Sequence, residues 1–126
     1  MSSVFTKIIQ GEIPCYKIYE DEKTLAFLDI EPEAKGHTLV VPKIEIEKIY
    51  DLPDDYYQAV MATVKKLARH MEDTLGERMQ LKVVGVDVPH AHVHILPASQ
   101  VFATEPYPKP TEEEFQALQQ KLQLSE

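Results

Sequence analysis

The sequence predicts an α+β domain in which an antiparallel β-sheet packs against one long helix, with a short helix towards each end of the chain. Two observations carry this prediction. Short runs of β-branched and aromatic residues alternate with turn residues, and one stretch, 51–76, places apolar residues at helical spacing. At 126 residues the chain has the size of one domain with one hydrophobic core. We therefore expect a single domain over residues 1–126.

A short helix is predicted near the N-terminus. Phe5, Ile8 and Ile9 recur at the i, i+3, i+4 spacing of one helical face. Gly11 and Pro14 follow this face, and both residue types end helices.

Three strands are predicted next. Residues 15–20 and 24–29 are rich in strand-forming residues, and the polar tripeptide 21–23 between them indicates a hairpin. Residues 37–41 predict the third strand. Pro42 stops it, because proline lacks the N–H that a ladder needs.

The stretch 51–76 is the best-defined helix of the sequence. Asp51 or a neighbour is the expected N-terminal cap, and Gly76 stands just past the C-terminal end. The opposite face is charged and solvated, whereas one face is apolar. The apolar face consists of Tyr57, Val60, Met61, Val64, Leu67, Ala68, Met71 and Leu75.

Two further strands and a docked tail complete the predicted fold. Residues 79–86 and 90–97 predict a fourth and a fifth strand, paired antiparallel because the turn between them is short. The tail, 98–126, begins with alternating prolines and then shows a capping-box pattern from Thr111 to Glu114. We expect a short docked helix here, with an apolar stripe of Phe115, Leu118 and Leu122.

The charge balance restricts the possible partners. With 13 Lys+Arg against 21 Asp+Glu, the formal charge of −8 argues against nucleic acids and anionic membranes, since both require a positive field. Apolar runs are far shorter than the ~20 residues of a membrane span. The first residues show no secretory signal, and Cys15 is a single cysteine that cannot form an internal disulfide. We therefore expect a cytoplasmic protein.

Three of the five histidines lie between residues 90 and 94. On a strand, residues two apart share a face, so His90, His92 and His94 are predicted to point one way. The apolar residues between them then point into a core.

Three interpretations of this histidine strip are open. The first is an exposed polar face of an edge strand, an unusual composition where Thr, Lys or Glu would serve. The second is a metal site of two neighbouring histidines and His37. The Cα atoms of His90 and His94 would be about 13 Å apart on a strand, too far for all three rings to share an ion. No Cys, Asp or Glu stands at close ligand spacing.

The third interpretation is catalytic. The middle imidazole attacks phosphorus while a flanking ring donates a hydrogen bond to a phosphate oxygen. Attack requires the distal ring nitrogen to be unprotonated, so the proximal N–H must be donated to a carbonyl. The strand backbone supplies such carbonyls nearby.

The strip resembles the histidine triad (HIT) superfamily of nucleotide hydrolases and transferases, whose pattern is His-x-His-x-His followed by two apolar residues. Residues 90–96 match that pattern throughout. Three upstream segments are similar to the Hint branch and occur in the same order: 5–14, 25–30 and 36–43. The resemblance implies a HIT-like fold with a motif-bearing core at 4–97, followed by the tail.

The resemblance also implies roles for individual residues. His92 would be the nucleophile and would form a nucleotidyl-histidine intermediate that water resolves. His94 would contact the α-phosphate, and His90 and His37 would support the catalytic ring. Asp29 would take the ribose hydroxyls. Four apolar residues fall where the family lines its base pocket, although they could equally be core: Phe5, Ile8, Leu28 and Ile30. We expect no cofactor and no metal.

Two departures from the family pattern are visible. Gly85 stands where an Asn is usual, and only residues 86–89 separate it from His90, so a hydroxyl that a longer loop presents to phosphate is missing. Glu45 stands where a further His is common. Both departures bear on the turnover rate and on the leaving group.

The leading functional prediction is a hydrolase that cleaves nucleoside 5′-phosphoramidates or related nucleotide conjugates at the α-phosphate. The alternatives are a dinucleoside polyphosphate hydrolase, a nucleotide-binding dimer with little or no turnover, and a metal-dependent function through His90, His92 and His37. The expected ligand is a purine mononucleotide or its conjugate. By the same resemblance we expect a homodimer, paired through the long helix and a strand edge at 83–86. The residues that add bulk to the helix are Tyr56, Tyr57, Met61 and Met71.

Overall fold

Five strands form one antiparallel sheet, and three helices pack around it. The computed structural model describes residues 2–86 and 88–126. The strands are β1 Lys17–Glu20, β2 Thr24–Leu28, β3 Thr38–Pro42, β4 Met79–Lys82 and β5 Val93–Pro97. The helices are α1 Val4–Ile9, α2 Asp54–Leu75 and α3 Glu112–Leu122, with 3₁₀ turns at Ile49–Asp51 and Ala98–Phe102. The predicted α+β class is confirmed.

The strand order β1-β2-β3-β5-β4 places β5 inside the sheet. β5 pairs with β3 through Leu39 opposite His94, and with β4 through Lys82 opposite His94. Two neighbours explain why every residue of β5 is buried. The interpretation of the histidine strip as an exposed edge is therefore wrong.

Both faces of the sheet are covered, and each carries its own apolar cluster. Ala91, Val93 and Ile95 join the core beneath α2. Phe5 of α1 packs on the opposite face with Leu25, Phe27, Leu39 and Val41. Because successive side chains of a strand alternate between faces, the histidines beside the apolar residues of β5 point away from α2 and towards α1.

Four strands are shorter than predicted: β1 begins at Lys17, β2 ends at Leu28, and β4 and β5 differ most from the prediction. β3 includes Pro42 and does not stop before it. β4 ends at Lys82, and β5 begins at Val93, so His90 and His92 precede the strand. The backbone there bonds to a loop instead of a ladder: the Ala91 N–H donates to the carbonyl of Ile46 at 2.7 Å. Asp87, inside the predicted turn, lies outside the described residues.

The long helix is where the sequence predicts it, except for its cap. Asp51 lies in a 3₁₀ turn, and Pro53 occupies the N-terminal cap position without a side-chain bond. Pro53 sets the entry of the helix because its φ of −54° is already helical. At the other end Gly76 adopts φ 76°, a left-handed conformation that glycine accepts without strain.

The tail docks as predicted. Thr111 and Glu114 form a reciprocal capping box at the start of α3. Phe115 stacks on Tyr16 with ring centroids 4.8 Å apart, and Leu122 is fully buried. Within the described part of the chain, no helix combines the length and the apolar character that crossing a membrane requires.

Candidate active site

A pocket of about 340 Å³ opens on the α1 side of the sheet. Its walls are apolar except for Asp29, Glu31 and His94. The five residues that the sequence assigned to the base and the ribose all line it: Phe5, Ile8, Leu28, Asp29 and Ile30. They belong to two segments, α1 and the end of β2 with the residues just after it. The packing of α1 on the sheet brings these two segments together.

The pocket residues differ in how much of them is covered. Phe5 and Leu28 are core residues, with 6% and 2% of their surfaces exposed. Ile8 is half-buried. Ile30 is 58% exposed, so the interpretation of Ile30 as a core residue is wrong. An exposed isoleucine at the mouth of an apolar pocket offers surface that a flat ring can cover.

His37 and His94 form a directed pair of hydrogen bonds beside this pocket. The Glu33 backbone N–H donates to Nδ1 of His37 at 3.0 Å, so the proton of His37 sits on Nε2. That Nε2–H donates to Nδ1 of His94 at 2.9 Å. The proton of His94 must then sit on its own Nε2, a buried atom with no hydrogen-bond partner among the described residues. His94 thus presents an N–H donor.

In His92 the donor and acceptor nitrogens are exchanged relative to His94. Its Nδ1 lies 2.7 Å from the backbone carbonyl oxygen of His90, which can only accept, so Nδ1 carries the proton and Nε2 the lone pair. The His92 ring packs edge-on against Phe5 and against His94, with centroids 5.0 and 5.1 Å away. A lone pair and a donor N–H therefore lie on neighbouring rings.

His90 is held from both sides of its ring. Nε2 lies 2.9 Å from the carbonyl oxygen of Pro42, and Nδ1 lies 2.8 Å from the hydroxyl of Ser3. The four histidines of the site are all buried, with exposures of 0% for His90, 1% for His37 and His92, and 5% for His94.

Burial keeps the rings of His37, His90 and His94 neutral. Desolvation lowers the pKa of His37 and of His94 to about 4, and it also lowers the pKa of His90. Desolvation raises the pKa of the Asp29 carboxyl, although the Glu31 backbone N–H opposes it. A neutral imidazole has one N–H donor and one acceptor nitrogen, and the hydrogen bonds between His37 and His94 require one of each.

One cluster in the described ranges 2–86 and 88–126 could hold a metal ion. Donor atoms of Asp29, His37 and His94 lie within 4.8 Å of one another. The predicted grouping of His90 and His92 with His37 does not form, because both ring nitrogens of His90 are already bonded, Nε2 to the Pro42 carbonyl and Nδ1 to the Ser3 hydroxyl. An ion on the Asp29 cluster would displace the proton shared by His37 and His94. Asp29 was missed as a ligand candidate because it is distant from residue 94 in sequence.

Sequence reasoning also missed the partners that orient the rings. Glu33 acts through its backbone N–H, and Ser3 and Thr6 lie within 3.4 Å of His90 Nδ1 through hydroxyls. No spacing pattern connects residues 3 and 6 to residue 90. Only the packing of α1 on the sheet brings them together.

Buried histidine rings on one side of a small α+β fold, one with an acceptor nitrogen and its neighbour with a donor N–H, are an arrangement suited to histidine-based hydrolysis. Comparison with known proteins agrees: the HIT domain family matches residues 10–101. Protein hit of Bacillus subtilis is 44% identical over an alignment of 101 residues, and the match covers 75% of this chain and 69% of that protein. An adenosine 5′-monophosphoramidase of Saccharomyces cerevisiae is 40% identical over 96 residues, 75% of this chain and 61% of the yeast protein.

The fold agrees as well. A Hit-like protein involved in cell-cycle regulation from Bartonella henselae superimposes with a TM-score of 0.86 at 28% identity, covering 96% of this chain and 93% of that one. The chain belongs to the HIT family and is a HIT-type hydrolase.

Proposed function

We propose that the chain hydrolyses nucleoside 5′-phosphoramidates, or related nucleotide conjugates, at the α-phosphate through a nucleotidyl-His92 intermediate. The observation that carries the proposal is the 2.7 Å bond from His92 Nδ1–H to the His90 carbonyl, which leaves the lone pair on Nε2. The monophosphoramidase name of the yeast relative supports the substrate class.

The nucleotide occupies the pocket lined by Phe5. Its base lies on Ile8 and Ile30, beside the end of β2 at Leu28, and the Asp29 carboxylate accepts the ribose hydroxyls. The α-phosphate then faces His94, whose Nε2–H points at a nonbridging oxygen and offsets the charge that develops there.

The reaction has two steps at phosphorus. In the first, Nε2 of His92 forms a bond to phosphorus and the bond to the leaving nitrogen breaks, and this nitrogen takes one proton from solvent and departs as the neutral amine. The His90 carbonyl stabilises the cationic ring through Nδ1–H. In the second, water attacks phosphorus, the bond to Nε2 breaks, and the water returns one proton to solution. The site delivers nucleoside monophosphate and amine.

The decisive experiment follows adenosine 5′-phosphoramidate hydrolysis by wild type, His92→Asn and His70→Asn. His70 is the one histidine outside the cluster and provides the matched control. We expect His92→Asn to lose turnover while still binding AMP, and His70→Asn to retain both. A rapid acid quench of wild type should trap the nucleotidyl adduct, which mass spectrometry assigns to His92. Full turnover by His92→Asn would contradict the proposal.

The same experiment tests the two alternative functions. A dinucleoside polyphosphate in parallel with the phosphoramidate distinguishes the substrate classes. AMP binding without turnover or adduct would instead indicate a binding protein. The short segment 86–89, which lacks the hydroxyl expected in similar proteins, motivates this second alternative.

We also propose that the chain acts in the cytoplasm as a homodimer that joins α2 and β4 of two copies. β4 is an edge strand with Leu81 48% exposed, and a groove of about 390 Å³ lies between it and α2. Of the residues expected at the paired surface, Val83, Val84 and Val86 after the strand and Tyr57 of α2 are exposed, whereas Met71 is buried in the core. Light scattering of wild type and Leu81→Lys tests this: we expect a dimer and a monomer, respectively.

A further inference from the structure

A closed hydrogen-bond network surrounds His90 and takes no direct part in the proposed reaction. The Thr6 hydroxyl donates to Oε1 of Glu45 at 2.6 Å, and the Ser3 backbone N–H donates to the same oxygen at 2.6 Å. The Ser3 hydroxyl lies 2.8 Å from Nδ1 of His90. We call Ser3, Thr6 and Glu45 the clasp. It joins α1 and the segment after β3 to the histidine strip.

Each proton in the clasp has one assigned acceptor. The Pro42 carbonyl can only accept, so His90 carries its proton on Nε2 and accepts at Nδ1. Ser3 Oγ accepts from the Thr6 N–H at 3.0 Å. Its own proton is assigned to His90 because Nδ1 must accept and lies 2.8 Å away, closer than the other acceptor, Thr6 Oγ1, at 3.3 Å. The Thr6 hydroxyl lies 3.4 Å from the same Nδ1, but Glu45 holds its proton. Glu45 thus removes a competitor for the bond between Ser3 and His90.

The clasp holds the two groups that orient the nucleophile. The His90 carbonyl accepts the Nδ1–H of His92 at 2.7 Å. Phe5 lies in α1 beside Thr6, and its ring packs edge-on against His92 at 5.0 Å. A shift of α1 relative to His90 would therefore change both the tautomer and the orientation of His92.

We propose that Glu45, acting through Thr6 and Ser3, is a positioning residue that holds the His90 carbonyl where it fixes the reactive tautomer of His92. The inference rests on the proposed role of His92 as the nucleophile. Glu45 is suited to this role because backbone donation from Ser3, followed by the Thr6 hydroxyl, holds the pKa of its carboxyl below the usual value. As an anion it can only accept hydrogen bonds.

The exposed position of Glu45 allows a clean set of variants. Glu45→Ala removes the acceptor, Glu45→Gln keeps an acceptor oxygen without the charge, and Glu47→Ala is the matched control on the same segment. Because loss of an outer orienting partner typically costs 10–100-fold, we expect Glu45→Ala to lower kcat about 10-fold with KM within about twofold. Glu45→Gln and Glu47→Ala should stay within about twofold of wild-type kcat. Unchanged kcat in Glu45→Ala, or an equal loss in Glu45→Gln, would overturn the proposal.

A second readout does not depend on turnover. Nitrogen NMR of the His92 ring distinguishes the Nδ1–H tautomer from the Nε2–H tautomer. We expect the Nδ1–H form in wild type and Glu45→Gln, and a mixture in Glu45→Ala. Identical His92 spectra in wild type and Glu45→Ala would contradict the proposed positioning role of Glu45. A wild type that hydrolyses nothing would overturn the proposed function, while the spectra would still decide about the clasp.

Discussion

Nε2 of His37 lies 2.9 Å from Nδ1 of His94, and the direction of this bond follows from a backbone group. The Glu33 N–H can only donate, so it assigns the proton of His37 and, through it, that of His94. A main-chain amide thereby determines that His94 offers an N–H to the pocket, while the His90 carbonyl determines that His92 offers a lone pair.

Breaking this chain at His37 should reduce catalysis. His37→Ala removes the donor to His94, whose proton can then move to Nδ1, and we expect kcat to fall about 10–100-fold. His37→Gln places an amide N–H near the former Nε2 and should recover part of that loss. Steady-state kinetics with both variants makes the comparison. Equal activity of His37→Ala and wild type would contradict the assigned direction.

Stability should depend on pH through the same two rings. The pKa of His37 and of His94 is about 4 in the folded chain, below the usual 6.5, so the unfolded chain binds more protons between these values. The free energy of unfolding is then greatest above pH 6.5 and declines as the pH falls towards 4. At pH 5 we expect a loss of about 2 kcal/mol for each ring, or on the order of 4 kcal/mol for the two together, relative to pH 8.

Urea unfolding at the two pH values measures this loss, with His37→Gln as the control that removes one of the titrating rings. The variant should lose less than wild type between pH 8 and pH 5. Identical pH dependence in both proteins would show that His37 is not responsible.

Asp29 should distinguish nucleotides by their ribose hydroxyls. The carboxylate can accept both hydroxyl protons, whereas the Asn amide supplies one oxygen and a mismatched NH₂, so Asp29→Asn should weaken AMP binding about 10-fold. The 2′,3′-dideoxy analogue should bind wild type and variant equally. Calorimetry with both nucleotides checks this. An equal loss of affinity for AMP and for its dideoxy analogue would contradict the proposed contact between Asp29 and the ribose hydroxyls.

Substitutions at Ile30 and at Leu28 should change different properties: the first mainly the affinity for AMP, the second mainly the free energy of unfolding. Leu28 is 2% exposed and belongs to the core, so Leu28→Ala should cost about 2–5 kcal/mol of unfolding free energy. Ile30 is 58% exposed without ligand, so Ile30→Ala should change stability by less than about 0.5 kcal/mol. It should still weaken AMP binding about fivefold, because the base loses apolar contact area. Denaturation and AMP titration of both variants provide the test, which an unaltered AMP affinity in Ile30→Ala would contradict.

Removal of metals should leave turnover unchanged. In the proposed steps His92 supplies the nucleophile and His94 the donor, whereas an ion bound to Asp29, His37 and His94 would use the nitrogens that carry the directed bond. We expect dialysis against EDTA to preserve kcat, with metal content followed by elemental analysis. Loss of activity that zinc restores would favour the metal-dependent alternative.

Local patterns predict most of the fold because they report properties of short segments. The spacing of Phe5 and Ile8 predicts α1, the capping pair Thr111 and Glu114 predicts α3, and apolar periodicity predicts α2. The pattern His-x-His-x-His, continued by two apolar residues, is specific enough to indicate the family. Strand ends are less predictable: β5 begins at Val93 because the Ala91 N–H bonds to Ile46 in a loop distant in sequence.

The residue types, their order and the alternation of histidines with apolar residues are properties of the sequence itself, and they determine the fold class and the candidate nucleophile. The proton of His92 is assigned by the neighbouring carbonyl of His90, whereas only the tertiary structure decides the proton positions of His90 and His94. Glu33, Pro42 and Ser3 lie far from residues 90–94 in sequence, yet their donors and acceptors assign a tautomer to a ring of the strip. Since a neutral imidazole has one proton and two nitrogens, only the groups packed against it determine which nitrogen can attack and which can donate.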